Sequence, residues 1–264
     1  MEHRDQLADK LQNIAEQAAR SVGPMLAEAF AAGVTAREKG GFDDLVTEFD
    51  PKSERMIIEQ IMQAHPDSMV LGEEGGHHGN GAVRWYVDPI DGTTNFAGGI
   101  PFFCVSIGAE VAGQMVAGVV YDPLRQEMFS AGSGGTTLNG QPVQVKPVVR
   151  EQDAVVLTNI PNSIYAPPSS FELFGQMTLR FRSVRRLGAI ALELAYLTCG
   201  RADVVVGYGM KPWDLAAVYH LIARAGGRYH AVGPGEQPWL SPGCVACSAP
   251  FRLEESILVD FVVG

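Results

Sequence analysis

Residues 85–96 read Trp-Tyr-Val-Asp-Pro-Ile-Asp-Gly-Thr-Thr-Asn-Phe and place two carboxylates, Asp88 and Asp91, at the end of an apolar run. Val83, Trp85 and Val87 alternate as in a strand facing a core, and Asp88 falls where that strand is expected to stop. Carboxylates this close, beside an apolar strand, repel each other unless a cation or a proton lies between them. Gly92 lets the chain turn tightly. Thr93, Thr94 and Asn95 then supply hydroxyls, an amide and a run of N–H groups, which suits an anion next to a metal. Oxygen ligands for a hard cation and backbone donors for phosphate, within one turn, imply metal-assisted phosphoryl chemistry. A bare Asp-Pro-x-Asp-Gly would read as an ordinary turn. The Thr-Thr-Asn-Phe continuation and two more acidic sites, Glu73-Glu74 and Asp214, favour the chemistry, with Asp50 as a further acidic position.

Those acidic positions need elements to present them. Met69–Leu71 is a short apolar run, so a strand is expected to end at Gly72 and expose Glu73 and Glu74, which alone would read as a solvated loop. Asp214 follows Trp213 at the start of a helical pattern, and Asp50 precedes Pro51; each alone is explained as a helix N-cap. Leu7, Leu11, Ile14, Ala18, Val22 and Leu26 predict one amphipathic helix over 4–31, and Met56, Ile57 and Ile61 give the helix after Pro51 its apolar face. From 83 to 131 the pattern turns to strands, with Gly113-Gln114 as a hairpin turn. Beyond Lys146-Pro147, strands are expected at 154–159, 202–207 and 243–248. Helices are expected at 171–180, 188–200, 213–227 and 253–262. Antiparallel strands followed by strand–helix alternation predict a layered α/β protein of two packed subdomains. Residues 1–147 would carry most candidate ligands, and 148–264 would complete the site.

With 264 residues, 46% of them hydrophobic, the chain can bury a large core. A net charge of −10 argues against a nucleic-acid-binding surface, which needs a basic face. The N-terminal segment is charged throughout and lacks an apolar signal core, and no run of about 18 apolar residues predicts a membrane span. Four cysteines are too few for a disulfide framework, and a cytoplasmic address is expected. Cys244 and Cys247 form a lone C-x-x-C that reads as part of a short buried strand.

Gly72-Glu73-Glu74, the run from Asp88 to Phe96, and Trp213-Asp214-Leu215-Ala216-Ala217 leading to Gly226-Gly227, in this order and spacing, resemble the inositol monophosphatase family of magnesium-dependent, lithium-sensitive phosphatases. The resemblance spans 44 to 227, and the Asp-Gly-Thr-Thr-Asn-Phe form is typical of the inositol phosphatases. It implies the αβαβα sandwich shared with fructose bisphosphatases, two or three Mg2+ ions and a homodimer. By resemblance, Glu73, Asp88, the Ile90 carbonyl and the Thr93 hydroxyl would hold one ion. Asp88, Asp91 and Asp214 would hold a second, and Glu73 would help place a third. One ion would lower the pKa of a water that Thr93 and Glu73 orient and deprotonate; the other would stabilise the leaving alkoxide. The N–H groups of Gly92, Thr93 and Thr94 would bind phosphate oxygens. Lys39 and Asp50 match outer positions of the family site.

Arg185, Gly188 and Ala189 fall in what looks like the family's substrate-facing loop, although Arg185 and Arg186 read equally as surface charges or a subunit contact. One departure stands out. Gly207, seven residues before Asp214, occupies a position where inositol phosphatases usually carry a Glu that binds substrate hydroxyls. Loss of that acceptor should weaken discrimination for a polyol by about 1–3 kcal/mol. The expected activity is Mg2+-dependent hydrolysis of inositol 1-phosphate or a similar small polyol phosphate, with no nucleic-acid or membrane partner. Histidinol-phosphate phosphatase activity, or a regulatory binding protein on the same fold, are the alternatives.

Overall fold

Apolar residues at helical spacing build the first layer. Leu11, Ile14, Ala18, Val22 and Leu26 lie buried along one face of α1 (Glu2–Ala32). A short hairpin, β1 (Arg37–Gly41) and β2 (Asp44–Val46), leads into α2 (Phe49–Ala64), whose Ile57 and Ile61 enter the same core. The computed structural model describes residues 2–41, 44–161 and 169–263. Phe42 and Asp43, in the polar stretch read between the first two helices, lie outside them.

The second layer is an eight-stranded sheet. Its strands are β3 (Ser68–Gly72), β4 (Gly76–Gly79), β5 (Val83–Asp91), β6 (Cys104–Val111), β7 (Gln114–Asp122), β8 (Glu127–Ala131), β9 (Thr137–Leu138) and β10 (Gln141–Pro142). They lie in the order β10-β9-β8-β7-β6-β5-β3-β4, and a short helix, α3 (Thr93–Gly98), follows β5. The β3–β5 pair is parallel, an exception to the antiparallel first half read from the sequence. The β6–β7 turn is Ala112-Gly113, one residue earlier than expected. Both residues take positive φ, as a two-residue hairpin loop requires, and Gln114 already belongs to β7.

The remaining elements are β11 (Val155–Thr158), α4 (Ser169–Arg180), β12 (Ser183–Arg185), α5 (Ile190–Thr198), β13 (Val204–Tyr208), α6 (Pro212–Arg224), β14 (Gly227–Val232), β15 (Gly243–Ser248) and α7 (Val259–Val263). Their strands form a second sheet, β12-β11-β13-β15-β14, with β15 antiparallel to both neighbours. Helices α5 and α6 are packed between the two sheets, and α4 and α7 cover the outer face of the second. The layers therefore run α, β, α, β, α, as the resemblance implies. The helix expected over 253–262 is shorter: a 3-10 turn at Leu253–Glu255 precedes α7. Cys244 faces the core with α5 and α6, whereas Cys247 faces the outer core, so the C-x-x-C pair shares no site. Among the described residues, no helix is long and apolar enough to cross a membrane.

Two contacts place the start of α6 against the sheet. A Cβ built on Gly118 would lie 2.3 Å from the Ala217 carbonyl oxygen, and one on Gly108 2.8 Å from the Ala217 nitrogen. Only glycine lets the helix approach β6 and β7 this closely. Ser106 on β6 then donates to the Trp213 carbonyl at 3.1 Å, fixing the first turn of α6 and with it Asp214.

Candidate metal and phosphate site

Strand β5 does not stop at Asp88. Asp88 faces Ser106 and Asp91 faces Cys104, so β5 fits one residue more than β6 between these pairs. Pro89, which has no N–H to give the ladder, sits within this bulge. Residues three apart on a regular strand point to opposite faces; the extra residue turns Asp88 and Asp91 to the same one. That face meets α5 and α6. Gly92 then takes φ +92°, and a Cβ there would stand 2.9 Å from the Ala189 Cβ and 3.2 Å from the Gly188 carbonyl oxygen. This glycine thus makes the turn into α3 and lets the segment 188–189 close over it.

A cavity of about 520 Å3 collects the motif. Lys39, Glu73, Asp88, Ile90, Asp91, Gly92, Thr93, Thr94 and Asp214 all line it, joined by Asp44, Leu45, Gly209, Lys211 and Trp213. Gly92, Thr93 and Thr94 bring N–H groups at the opening of α3, which a helix cannot satisfy within itself. Asp50 reaches the site through Thr93, whose hydroxyl lies 3.0 Å from Asp50 Oδ1 and 3.0 Å from the Ile90 carbonyl. Arg185 does not line the cavity; it is exposed on β12 and donates to the Val184 carbonyl. A larger cavity, about 710 Å3, opens beyond Lys39 and Glu74, walled by charges of both signs. Its one buried carboxylate, Glu54, is already bonded.

Neither helix-start aspartate is an N-cap. Helix α2 begins at Phe49, and Asp50 lies in its first turn, where Oδ2 accepts the N–H of Thr47 at 2.8 Å and its hydroxyl at 2.5 Å. Helix α6 begins at Pro212 after Lys211, and Asp214 Oδ2 reaches back to accept the Lys211 N–H at 2.8 Å. Both carboxylates are thus anchored by backbone donors in a fixed helical turn, Asp214 lining the cavity and Asp50 reaching it through Thr93.

Several supporting residues escape a motif search. Glu54 is buried and accepts the N–H groups of Glu74 (2.8 Å) and Gly75 (2.6 Å), setting the turn that carries Glu73. Asn95 donates to the carbonyls of Phe102 and Leu187, each at 2.7 Å. Asp91 accepts from Ile190 (3.1 Å) on Oδ1 and from Ala191 (2.8 Å) and Leu192 (3.3 Å) on Oδ2, so it closes the N-terminus of α5. Glu193, fully buried, accepts from Leu187 (2.8 Å) and Gly188 (3.0 Å) through Oε1. Glu193→Ala is expected to raise KM for a phosphate ester several-fold and to cost about 1 kcal/mol of stability, because the N–H groups of half-buried Leu187 and exposed Gly188 lose their acceptor. Glu193→Gln, which keeps that oxygen, should restore most of both. Melting curves and steady-state kinetics decide; an alanine variant with wild-type KM would free the 187–189 segment from this role.

Burial and crowding hold Glu73, Asp88, Asp91 and Asp214 above the usual carboxylate range. Glu73 is pushed up to about 8, by burial first and then by the charge of Asp214, against the pull of Lys39, whose Nζ stands 3.6 Å away. Asp91 is pushed up to about 7 by burial, opposed by the N–H groups of Leu192 and Ala191. Asp214 also reaches about 7, by burial and then by the charge of Asp91. Asp88 is raised well above the carboxylate range by burial and by Glu73, Asp91 and Asp214 together. Among the described residues no three such side chains form a ready-made metal cage. The donor set nevertheless fits a hard divalent cation: carboxylates that raise one another call for positive charge, and oxygen ligands suit Mg2+.

The chain matches the family model of the inositol monophosphatase family over residues 7–262. It is 36% identical over 244 residues to the protein named Nus factor SuhB of Vibrio cholerae, spanning 90% of this chain and 91% of that one. It is also 36% identical over 218 residues to the protein named inositol-1-monophosphatase of Synechocystis sp., spanning 81% and 76%. The crystal structure of the extragenic suppressor protein suhB from Bartonella henselae is similar with a TM-score of 0.83 at 32% identity, covering 91% of this chain and 94% of that one.

Proposed function

Because the chain belongs to the inositol monophosphatase family, we propose that it is a Mg2+-dependent phosphomonoesterase with inositol 1-phosphate or a similar small polyol phosphate as substrate. One observation carries this reading: Glu73, Asp88, Asp91 and Asp214 converge with the Gly92–Thr94 turn on a single cavity. Glu73, Asp88, Asp91, Asp214 and the Ile90 carbonyl would hold the ions. When bound, Mg2+ supplies the positive charge that acidifies the attacking water and steadies the leaving oxygen. Thr93 orients that water through its hydroxyl, which Asp50 holds, and Glu73 takes its proton. The N–H groups of Gly92, Thr93 and Thr94 hold the phosphate oxygens while the water oxygen bonds to phosphorus and the ester P–O bond breaks. The leaving oxygen takes a proton from solvent, so the products are the alcohol and inorganic phosphate.

We read residues 1–147 and 148–264 as halves of one unit, the second supplying Asp214 and the 187–189 segment, acting as a cytoplasmic homodimer. Phosphate release from inositol, histidinol, fructose and adenosine phosphates, with and without Mg2+, tests the reading. Release should require Mg2+, fall with excess Ca2+ and be inhibited by Li+, because the larger Ca2+ loosens the ligand geometry. Full rates in a chelator, or equal rates with Ca2+, would sink it. Preference for histidinol phosphate would instead favour the histidinol-phosphatase branch. The relatives named Nus factor motivate a second reading, a regulatory binding protein on this fold. Protein partners retained by a chain without Mg2+-dependent turnover would favour it.

A further inference from the structure

Helix α2 reaches two sides of the catalytic cavity through two buried carboxylates one helical turn apart, Asp50 and Glu54. Asp50 Oδ1 lies 3.0 Å from the Thr93 hydroxyl. Glu54 turns instead to the hairpin that carries Glu73. Gly72 and Gly76 pair as the last residue of β3 and the first of β4, so Glu73, Glu74 and Gly75 form the whole loop between them. Glu54 Oε2 accepts the Glu74 N–H at 2.8 Å, and Oε1 accepts the Gly75 N–H at 2.6 Å. Two of the three loop N–H groups thus end on one carboxylate. The third, of Glu73, donates to the Val87 carbonyl at 3.2 Å.

The glycines on either side of the acidic pair leave room for this carboxylate. A Cβ on Gly72 would lie 2.5 Å from the Glu54 carboxyl carbon, and its three nearest atoms would all belong to that group. A Cβ on Gly75 would meet Glu54 Oε1 at 2.8 Å and His78 Nε2 at 2.6 Å. Neither glycine takes a positive φ, so space and not backbone freedom is what they supply. The other hold on the loop comes from Lys39, whose Nζ is 2.7 Å from Glu74 and 3.6 Å from Glu73. Lys39 stands on β1, and β1 and β2 form a sheet of their own, apart from both larger sheets. The firm anchor is Glu54, on a helix whose Ile57 and Ile61 are packed in the core.

We propose that Glu54 is a positioning residue for Glu73: by tying the loop backbone to α2, it sets Glu73 in register with Thr93 for the attacking water and for a cation. This rests on the phosphomonoesterase reading and deepens it. Asp50 and Glu54 keep the fixed spacing of a helical turn, about 6 Å along the axis. The two groups assigned to the water, Thr93 and Glu73, are therefore both set from one rigid element. Partners that orient a ligating carboxylate are typically worth about tenfold or more in metal affinity or activity.

Two variants separate the position of this carboxylate from its charge. Glu54→Gln keeps the shape and one acceptor, but sets its NH2 against the other loop N–H. Gly72→Ala keeps the charge of Glu54 and pushes its carboxylate off the donors. Calorimetric titration with Mg2+, without substrate, should show affinity about tenfold weaker in both variants. At saturating Mg2+, kcat should fall about tenfold while KM for the ester stays within about twofold, because the Gly92–Thr94 N–H groups are untouched. Glu54→Gln changes no heavy-atom count, so a folded variant remains even where Gly72→Ala proves too crowded. Lower melting temperatures with wild-type Mg2+ affinity and kcat would make Glu54 merely structural and overturn the proposal. A Gly72→Ala variant that matches the wild type while Glu54→Gln is impaired would assign the effect to charge, and overturns it too. If the wild type binds Mg2+ yet releases no phosphate from any ester, the phosphatase reading falls, and the titration still decides whether Glu54 places Glu73. No Mg2+ binding by the wild type overturns both.

Discussion

Asp88→Asn should abolish turnover and yet raise the melting temperature of the metal-free protein. Asp88 is buried at the centre of the cluster, and Glu73, Asp91 and Asp214 all act against its ionisation. Asparagine keeps its shape. Its oxygen can still accept the Ile90 N–H, now 2.9 Å from Asp88 Oδ1, and its NH2 can donate to Asp214, already hydrogen-bonded to this side chain. One repelling charge disappears and no donor is orphaned, so stability at mildly alkaline pH should rise by about 1–2 kcal/mol, or about 2–4 °C. Turnover should fall by about three orders of magnitude or more with the loss of a ligand shared between cations.

Asp91→Asn is the informative contrast. Both oxygens of Asp91 accept backbone N–H groups of α5, so the amide must set its NH2 against Ile190 or against Ala191 and Leu192. That substitution should lose activity and also about 1–3 kcal/mol of stability, although it is nearly isosteric. Calorimetry of the two variants in a chelator, alongside phosphate release in Mg2+, separates the roles. If Asp88→Asn melts as low as Asp91→Asn, or keeps its rate, the cluster does not work as described.

In a chelator, the protein should lose stability as pH rises from about 4 to about 8. Unfolded, these carboxyls titrate near 3.8 for Asp and 4.5 for Glu; folded, Asp91 and Asp214 are near 7 and Glu73 near 8. Between those values the native state binds more protons than the unfolded chain, so unfolding becomes easier with each step up in pH. Above about 8 the loss levels off. The groups titrate as a coupled set, so melting reports the whole cluster and not one residue. Saturating Mg2+ should reverse the trend, because the ions bind the ionised carboxylates and stabilise the native state most where protons have left. Glu193, raised to about 7 chiefly by burial, acts on the cluster only through its charge on Asp91 and should leave a small residue of the slope with Mg2+ present. Melting temperatures across this range, with chelator and with Mg2+, check both signs. A chelated protein that grows more stable from pH 5 to 8 would mean that the cluster is not crowded.

The helices with a clean apolar period were legible in the sequence, among them α1 and α6, because one buried face writes a local repeat. Edge strands β12 and β14 were not, since their partly exposed residues carry no strict alternation. The candidate chemistry was also legible: Glu73, Asp88, Asp91, the Gly92–Thr94 turn and Asp214 are residue types that phosphoryl chemistry requires, and all line one cavity. What the tertiary structure alone decided is how each is held. The bulge that turns Asp88 and Asp91 to one face depends on the register against β6. The donors to Asp91 come from α5, about 100 residues away. Glu54 reads as an ordinary helical glutamate until the turn at Glu74 folds onto it. Gly207 reads as a missing acceptor, whereas Met210, folding back beside it, fills the space a side chain would take. A helix period is enforced by neighbours three and four residues apart and so survives in the sequence; a hydrogen bond between distant segments constrains only its two ends, and leaves no repeat to read.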